Sequence, residues 1–234
     1  MRTPARNGVS DNRPFVRDIP LSIKGATIAT DGQTVIDQIL SHPAVYRAWQ
    51  APFVKQKLAP FLANSSIGPY DRVLDVGCGP GTNAGVFAPD GYVGADLSSD
   101  YIDSARKRFP QHQFEVWDIT TPGPNLGMFD VALINSVFHH LSDDETVTVL
   151  GALPVFLRDG AAIHIIDLVL PPDRSLARSL AKLDRGEFPR SVEHWRSLFG
   201  SLMDVKMMQP FRVGLFGTRM WDMVYVQGAA LGAQ

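Results

Sequence analysis

The chain has 234 residues, 45% apolar and 20% charged, with 22 Lys and Arg against 24 Asp and Glu for a formal charge of −2. That balance excludes a broadly basic protein that holds nucleic acid by counterion release. The single cysteine, Cys78, excludes an internal disulfide framework and a cysteine-built zinc site, and the six histidines show no metal-ligand spacing.

No apolar run approaches the roughly 20 residues that span a bilayer. Residues 1–29 carry Arg2, Arg6, Arg13 and Arg17 among prolines and acids, without the apolar segment of a signal peptide. They read as a mobile tail on a cytoplasmic protein, or as a tail that folds over the active site when ligand binds. Residues 30–66 read as a helical cap: Val35, Ile36, Ile39 and Leu40, then Val45, Trp49, Phe53 and Val54, recur at helical spacing, and Pro43, Pro52 and Pro60 divide them.

Strand and helix signals alternate over residues 70–170. Residues 72–76 form a short β run that ends in glycines, and residues 83–87 can start a helix. Residues 92–96 are a second strand; Ser98 caps a helix over residues 100–109 with Ile102 and Ala105 inward. Residues 113–117 are a third strand. Residues 129–135 are a fourth, nearly all apolar, as suits a strand buried on both faces. Ser142 caps a helix to about residue 156, and residues 161–168 are a fifth strand. The alternation predicts a parallel sheet with helices on both faces. Beyond it, residues 174–183 and 192–199 read as helices, and residues 205–208 and 221–226 as two last strands around a glycine-rich bend.

The chemistry concentrates after the first strand, in Val73-Leu74-Asp75-Val76-Gly77-Cys78-Gly79-Pro80-Gly81-Thr82. Glycines there permit positive φ and let a ligand approach the backbone. Asp96 ends the next strand at the separation where an acid meets ribose hydroxyls. Asp75 stands two residues before the first glycine. An acid there repels a pyrophosphate and favours a cationic amino-acid ligand, so the local charge points away from a dinucleotide.

Here the sequence resembles the class I S-adenosylmethionine-dependent methyltransferases of the small-molecule kind. Residues 73–82 are similar to that family's first motif, Asp96 to its second acid and Asp118 to the acid that meets the adenine. Residues 129–141 resemble the fourth-strand motif, and Leu157-Arg158-Asp159-Gly160-Ala161 the turn into the fifth strand. The resemblance implies a Rossmann-like α/β fold with a seven-stranded sheet in the order 3-2-1-4-5-7-6, strand 7 antiparallel. It implies S-adenosylmethionine as cofactor and S-adenosylhomocysteine as product. Asp75, Gly77, Gly79, Asn135 and Ser136 would meet the amino-acid part, Asp96 and Leu97 the ribose side, and Asp118 and Ile119 the adenine. Each acid has a plainer reading: Asp75 and Asp118 as turn formers, Asp96 as a strand-end acid.

Candidate bases are His139 and His140 just past the fourth strand, where open α/β sheets bind ligands, and Asp167 near the end of the fifth. Candidate substrate contacts are Tyr46 and Trp49 on the cap and Arg185, Arg190 and His194 in the region of residues 171–202, read as a helical lid; a packing or solvated-loop role is the alternative. Residues 67–234 form the methyltransferase domain on this reading, completed by the last two strands over residues 203–234. The acceptor is expected to be a small molecule methylated at oxygen, nitrogen or carbon, with no nucleic-acid or membrane partner, in a monomer or homodimer. A nucleic-acid methyltransferase is disfavoured: Asn135-Ser136-Val137-Phe138 lacks the prolines of enzymes that methylate base amines. A cofactor-binding protein without methyl transfer remains the other alternative.

Overall fold

The structure is a computed structural model and describes residues 52–68, 71–183 and 187–231. The described chain opens with α1 (Val54–Asn64), then β1 (Val73–Val76), β2 (Tyr92–Asp96), α2 (Ser99–Arg108), β3 (Gln113–Val116), β4 (Phe129–Asn135), α3 (Asp143–Ala152), β5 (Leu157–Val169), α4 (Leu176–Leu183), α5 (Val192–Leu202), β6 (Met203–Leu215) and β7 (Thr218–Ala230). The sheet runs β3-β2-β1-β4-β5-β7-β6. β1 to β5 pair in parallel and β7 lies antiparallel to both β5 and β6, as the resemblance implied.

The nearly all-apolar strands are explained by burial on both faces. Alternate residues divide between two cores. Leu74, Val76, Ala132, Ile134, Ile163 and Ile165 face Val149, Leu150, Trp195 and Phe199 of α3 and α5. Val73, Val131, Leu133, Ile166 and Leu168 face Leu58 and Phe61 of α1 and Ala181 of α4. At the far edge, Tyr92 and Phe114 pack with Ile102 and Ala105 of α2.

The capping expectations agree with the structure. Ser98 accepts from Tyr101 N–H at the start of α2, and Ser142 forms a reciprocal capping box with Glu145 at the start of α3. Three boundaries differ. After the glycine loop only two short 3₁₀ turns form, over Ala84–Val86 and Pro89–Gly91, where a longer helix was expected. α3 gives way to a 3₁₀ turn at Leu153–Phe156, since Pro154 has no N–H to continue the ladder. The last two strands are 13 residues each, far longer than their apolar centres, because they pair with one another along a hairpin that outruns β5. Its tip turns at Phe216 and Gly217, both with positive φ (51° and 79°), the geometry that matches strand twist in a two-residue hairpin.

Candidate active site at the carboxyl ends of β1 and β4

The glycine loop leaves β1 with Gly77, Gly79 and Gly81 at φ of 69°, 54° and 72°. Side chains resist that conformation, and at Gly77 there is also no room: a Cβ would lie 2.4 Å from Val137 Cγ2. The loop therefore lies directly against the segment that follows β4. Ser136 also takes a positive φ (61°), turning the chain sharply off the strand while its N–H donates to Ile166 O at 2.8 Å.

Between these two turns lies a cleft lined by Gly77, Cys78, Gly79, Thr82, Asn83, Asn135 and Ser136, with Val54 and Lys57 of α1 on its outer side. The Thr82 hydroxyl oxygen is buried with no hydrogen-bond partner. A buried, unpaired hydroxyl is costly, so its placement suits a ligand that supplies the missing bond. Sequence reasoning missed Val54, Lys57, Thr82 and Asn83. Thr82 and Asn83 directly continue the glycine motif, which was the available signal. Nothing in the sequence singles out Lys57, brought to the cleft by the packing of α1.

Asp96 ends β2 beside the loop, accepting from Gly79 N–H and Ser98 N–H, both at 2.9 Å. Burial raises its pKa against those two donors. Each carboxylate oxygen keeps a second lone pair. The next residue, Leu97, is 64% exposed and offers an apolar surface beside that acid. Asp118 lies past β3, where Oδ1 accepts from Thr120 N–H and Oγ1 at 2.9 and 2.6 Å. This is the turn-forming arrangement of its plainer reading. Ile119 is buried in the core with Trp117.

Asp75 does not line the cleft. It is wholly buried beneath it, accepting from Tyr92 Oη at 2.7 Å and from Asn83 Nδ2 at 3.2 Å. Burial pushes its pKa up to about 7 against the lowering effect of those bonds.

The candidate bases come together beyond β4. His139 Nδ1 lies 2.7 Å from Asp167 Oδ1, and both residues are buried. Asp167 also accepts from Phe138 N–H at 2.8 Å and Leu168 N–H at 2.6 Å. Burial alone would raise Asp167, but the adjacent His139 and these hydrogen bonds outweigh it and hold the carboxyl below the usual range. His140 is exposed, its ring centroid 4.0 Å from that of His139.

Arg190, expected to clamp an anionic ligand, is instead committed within the protein. It is 5% exposed and donates to Asp143, to the carbonyls of Phe138, Leu141 and Phe188, and stacks over Trp195. These partners, invisible in sequence, tie the start of α5 to the turn that carries His139. His194 Nε2 lies 2.8 Å from Asp143 Oδ2 on the same surface. Tyr46, Trp49 and Arg185 lie outside the described residues. Among the described residues no cluster of His, Cys, Asp and Glu could hold a metal, and no helix is long and apolar enough to cross a membrane.

Residues 73–160 match the family model of a methyltransferase domain. The matched stretch is thus a methyltransferase domain, on a sheet whose strand order is the one the resemblance implied. Among sequence relatives, trans-aconitate 2-methyltransferase of Variovorax paradoxus is 33% identical over 148 residues, 60% of this chain and 55% of that protein. The enzyme of the same name from Methylobacterium radiotolerans is 30% identical over 146 residues, 60% and 55% of the two chains. The chain thus spans about half the length of the relatives it matches. Among solved structures, the N-methyltransferase NodS of Bradyrhizobium japonicum, in complex with S-adenosylhomocysteine, superposes with a TM-score of 0.62 at 14% identity, covering 86% of this chain and 99% of that one. A methyltransferase from Methanosarcina mazei gives 0.61 at 17%, covering 74% and 98%. These two likenesses concern the fold.

Proposed function

We propose that the protein transfers a methyl group from S-adenosylmethionine to an oxygen, nitrogen or carbon atom of a small molecule. The observation that carries the reading is the cleft itself, where a left-handed glycine loop meets the end of β4 around the unpaired hydroxyl of Thr82. The residues present fit the cofactor. The Gly77–Gly79 backbone, Thr82, Asn135 and Ser136 would hold its amino-acid part, Asp96 and Leu97 its ribose side, and Asp118 and Ile119 its adenine. When bound, the cofactor supplies an electrophilic methyl on a sulfonium and leaves as S-adenosylhomocysteine.

The protein's own contribution begins with placement. Holding acceptor and methyl in near-attack geometry supplies much of the acceleration of such a displacement. His139, His140 and Asp167 stand at the same end of the sheet. An ionised Asp167 requires the proton of a neutral His139 to sit on Nδ1, which leaves the lone pair on Nε2. That arrangement suits proton removal from an alcohol, phenol or ammonium acceptor. The relatives' name, trans-aconitate 2-methyltransferase, favours a second reading in which the acceptor is a carboxylate. A carboxylate is already nucleophilic, and the His139–Asp167 pair then only braces the turn.

The cofactor assignment is tested by calorimetry. S-adenosylmethionine is expected to bind wild type, and Asp96→Ala to weaken it about tenfold or more through loss of charge-assisted hydrogen bonds. No binding to wild type at millimolar cofactor would overturn the proposal, and unchanged affinity in the variant would remove the role given to Asp96.

A further inference from the structure

His139 and Asp167 meet only if two segments are held in register, the turn after β4 and the end of β5. Arg190 is bonded to both. Its guanidinium donates to Phe138 O at 2.9 Å and to Leu141 O at 2.6 Å, the two carbonyls that flank the His139–His140 pair. Its backbone carbonyl accepts from Leu170 N–H at 2.8 Å, just beyond Asp167 on β5. Trp195, whose ring lies 4.6 Å from the guanidinium carbon, donates from Nε1 to Leu168 O at 2.9 Å on the same strand.

The turn is gripped from two sides at a single residue. Phe138 N–H donates to Asp167 Oδ2, and Phe138 O accepts from Arg190. The carbonyl of His139 itself accepts from Phe188 N–H at 3.0 Å, and Phe188 O accepts in turn from Arg190 at 3.0 Å. Stability alone does not call for a cation here. Burying a guanidinium is costly, and an apolar side chain of similar volume often does as well or better. What a planar fork supplies, and an apolar side chain lacks, is several hydrogen bonds at fixed angles at once.

The consequence falls on the imidazole. An ionised Asp167 only accepts, so its contact with a neutral His139 requires the proton on Nδ1. At 2.7 Å that bond is strong. Lengthened by about 1 Å it is no longer a hydrogen bond, and the ring is free to carry its proton on either nitrogen.

We propose that Arg190 is a positioning residue that, by clamping the Phe138–Leu141 turn to the end of β5, keeps His139 against Asp167 in the tautomer that leaves Nε2 as proton acceptor. The inference rests on the reading of His139 as a base given above. Arg190 acts through the turn and does not itself line the cleft.

The test reads the ring directly, by 15N NMR of the full chain labelled in histidine, at pH 9, well above the ordinary histidine range. The His139 signals are assigned by their loss in His139→Gln. Wild type is expected to hold the proton on Nδ1 over Nε2 by about tenfold or more, the preference that a hydrogen bond to a charged acceptor gives. In Arg190→Gln that preference should fall severalfold, while S-adenosylhomocysteine binds by calorimetry as it does to wild type. Asp143→Ala removes the half-buried carboxylate that holds Arg190 Nε at 2.6 Å. It should show the same change at smaller size, and it decides the matter if Arg190→Gln does not fold. A merely structural role would lower the unfolding midpoint and leave the tautomer as in wild type; that result in a folded variant overturns the proposal. A wild-type His139 that carries its proton on Nε2 would overturn the base reading instead.

Discussion

Asp75 on β1 and Asp167 on β5 are both wholly out of solvent, on strands separated only by β4. Their preferences for charge are opposite. Asp75 is met by the neutral donors Tyr92 and Asn83, and burial drives its pKa up to about 7. Asp167 meets an imidazole and two backbone N–H groups, which overcome the same burial and hold it low. Burial therefore does not set the state of a buried acid; the charge and number of its donors do. The difference also sorts the two by role. Asp167 is a fixed anion that orients an imidazole. Asp75 is an acid close to the balance between its two forms, linked through Asn83 to Asn135 at the end of β4.

The largest effect expected from this contrast comes from removing the fixed anion. Asp167→Ala removes the acceptor of His139 Nδ1 and of two buried backbone N–H groups, a loss of about 3–5 kcal/mol. Urea unfolding of variant and wild type measures it. The sign of the pH dependence follows from a lowered folded pKa. The stabilisation by Asp167 is present above the ordinary carboxylate range and lost as pH falls through its folded value. The gap between wild type and Asp167→Ala should therefore narrow in acid. A gap below about 1 kcal/mol at neutral pH would show that Asp167 is not held as an anion.

The next effect is smaller and probes the other acid. Tyr92→Phe removes one donor from ionised Asp75, expected to cost about 1–2 kcal/mol at pH 8 as a hydrogen bond to a charged group. Because the Tyr92 bond lowers the pKa of Asp75, the cost should shrink below about pH 7, where the acid holds its proton. A cost independent of pH would mean that Tyr92 serves packing against Phe87 and Phe114 alone.

How far these features were legible in sequence depends on range. The strands and the caps at Ser98 and Ser142 come from local periodicity and motif spacing, the strand order from the family resemblance, and the structure agrees with them. The glycine loop, Asp96 and the His139–His140 pair were found because each sits within a few residues of a strand end. What escaped were partnerships across long stretches of chain. Asn83 and Asn135 are 52 residues apart, and Lys57 and Ser136 are 79 apart. No period or spacing encodes them; they exist only because β1 and β4 are neighbours and α1 packs into the core on one face of the sheet. Arg190 shows the converse. Its charge suggested an anion clamp, and only its surroundings reveal that the guanidinium is committed to Asp143 and to the carbonyls of Phe138, Leu141 and Phe188.

Near pH 5 the smallest effect should come from Asp75→Asn, and its size and sign should depend on pH. An acid whose folded pKa is raised binds a proton that the unfolded chain has released. Its contribution is fully present below the unfolded value of 3.8 and is lost as pH rises through about 7. Wild type should therefore lose stability across that window, with a slope of at most about 1.4 kcal/mol per pH unit. The amide carries no such proton and keeps the same volume. At pH 5, where Asp75 is neutral, the variant should lie within about 1 kcal/mol of wild type. Toward pH 8 it should become the more stable of the two, because wild type then buries a charge matched only by neutral donors. Unfolding curves at pH 5, 6, 7 and 8 would show the two stabilities crossing. If the variant were uniformly weaker by several kcal/mol, Asp75 would be a fixed anion like Asp167, and the contrast between the two acids would fail.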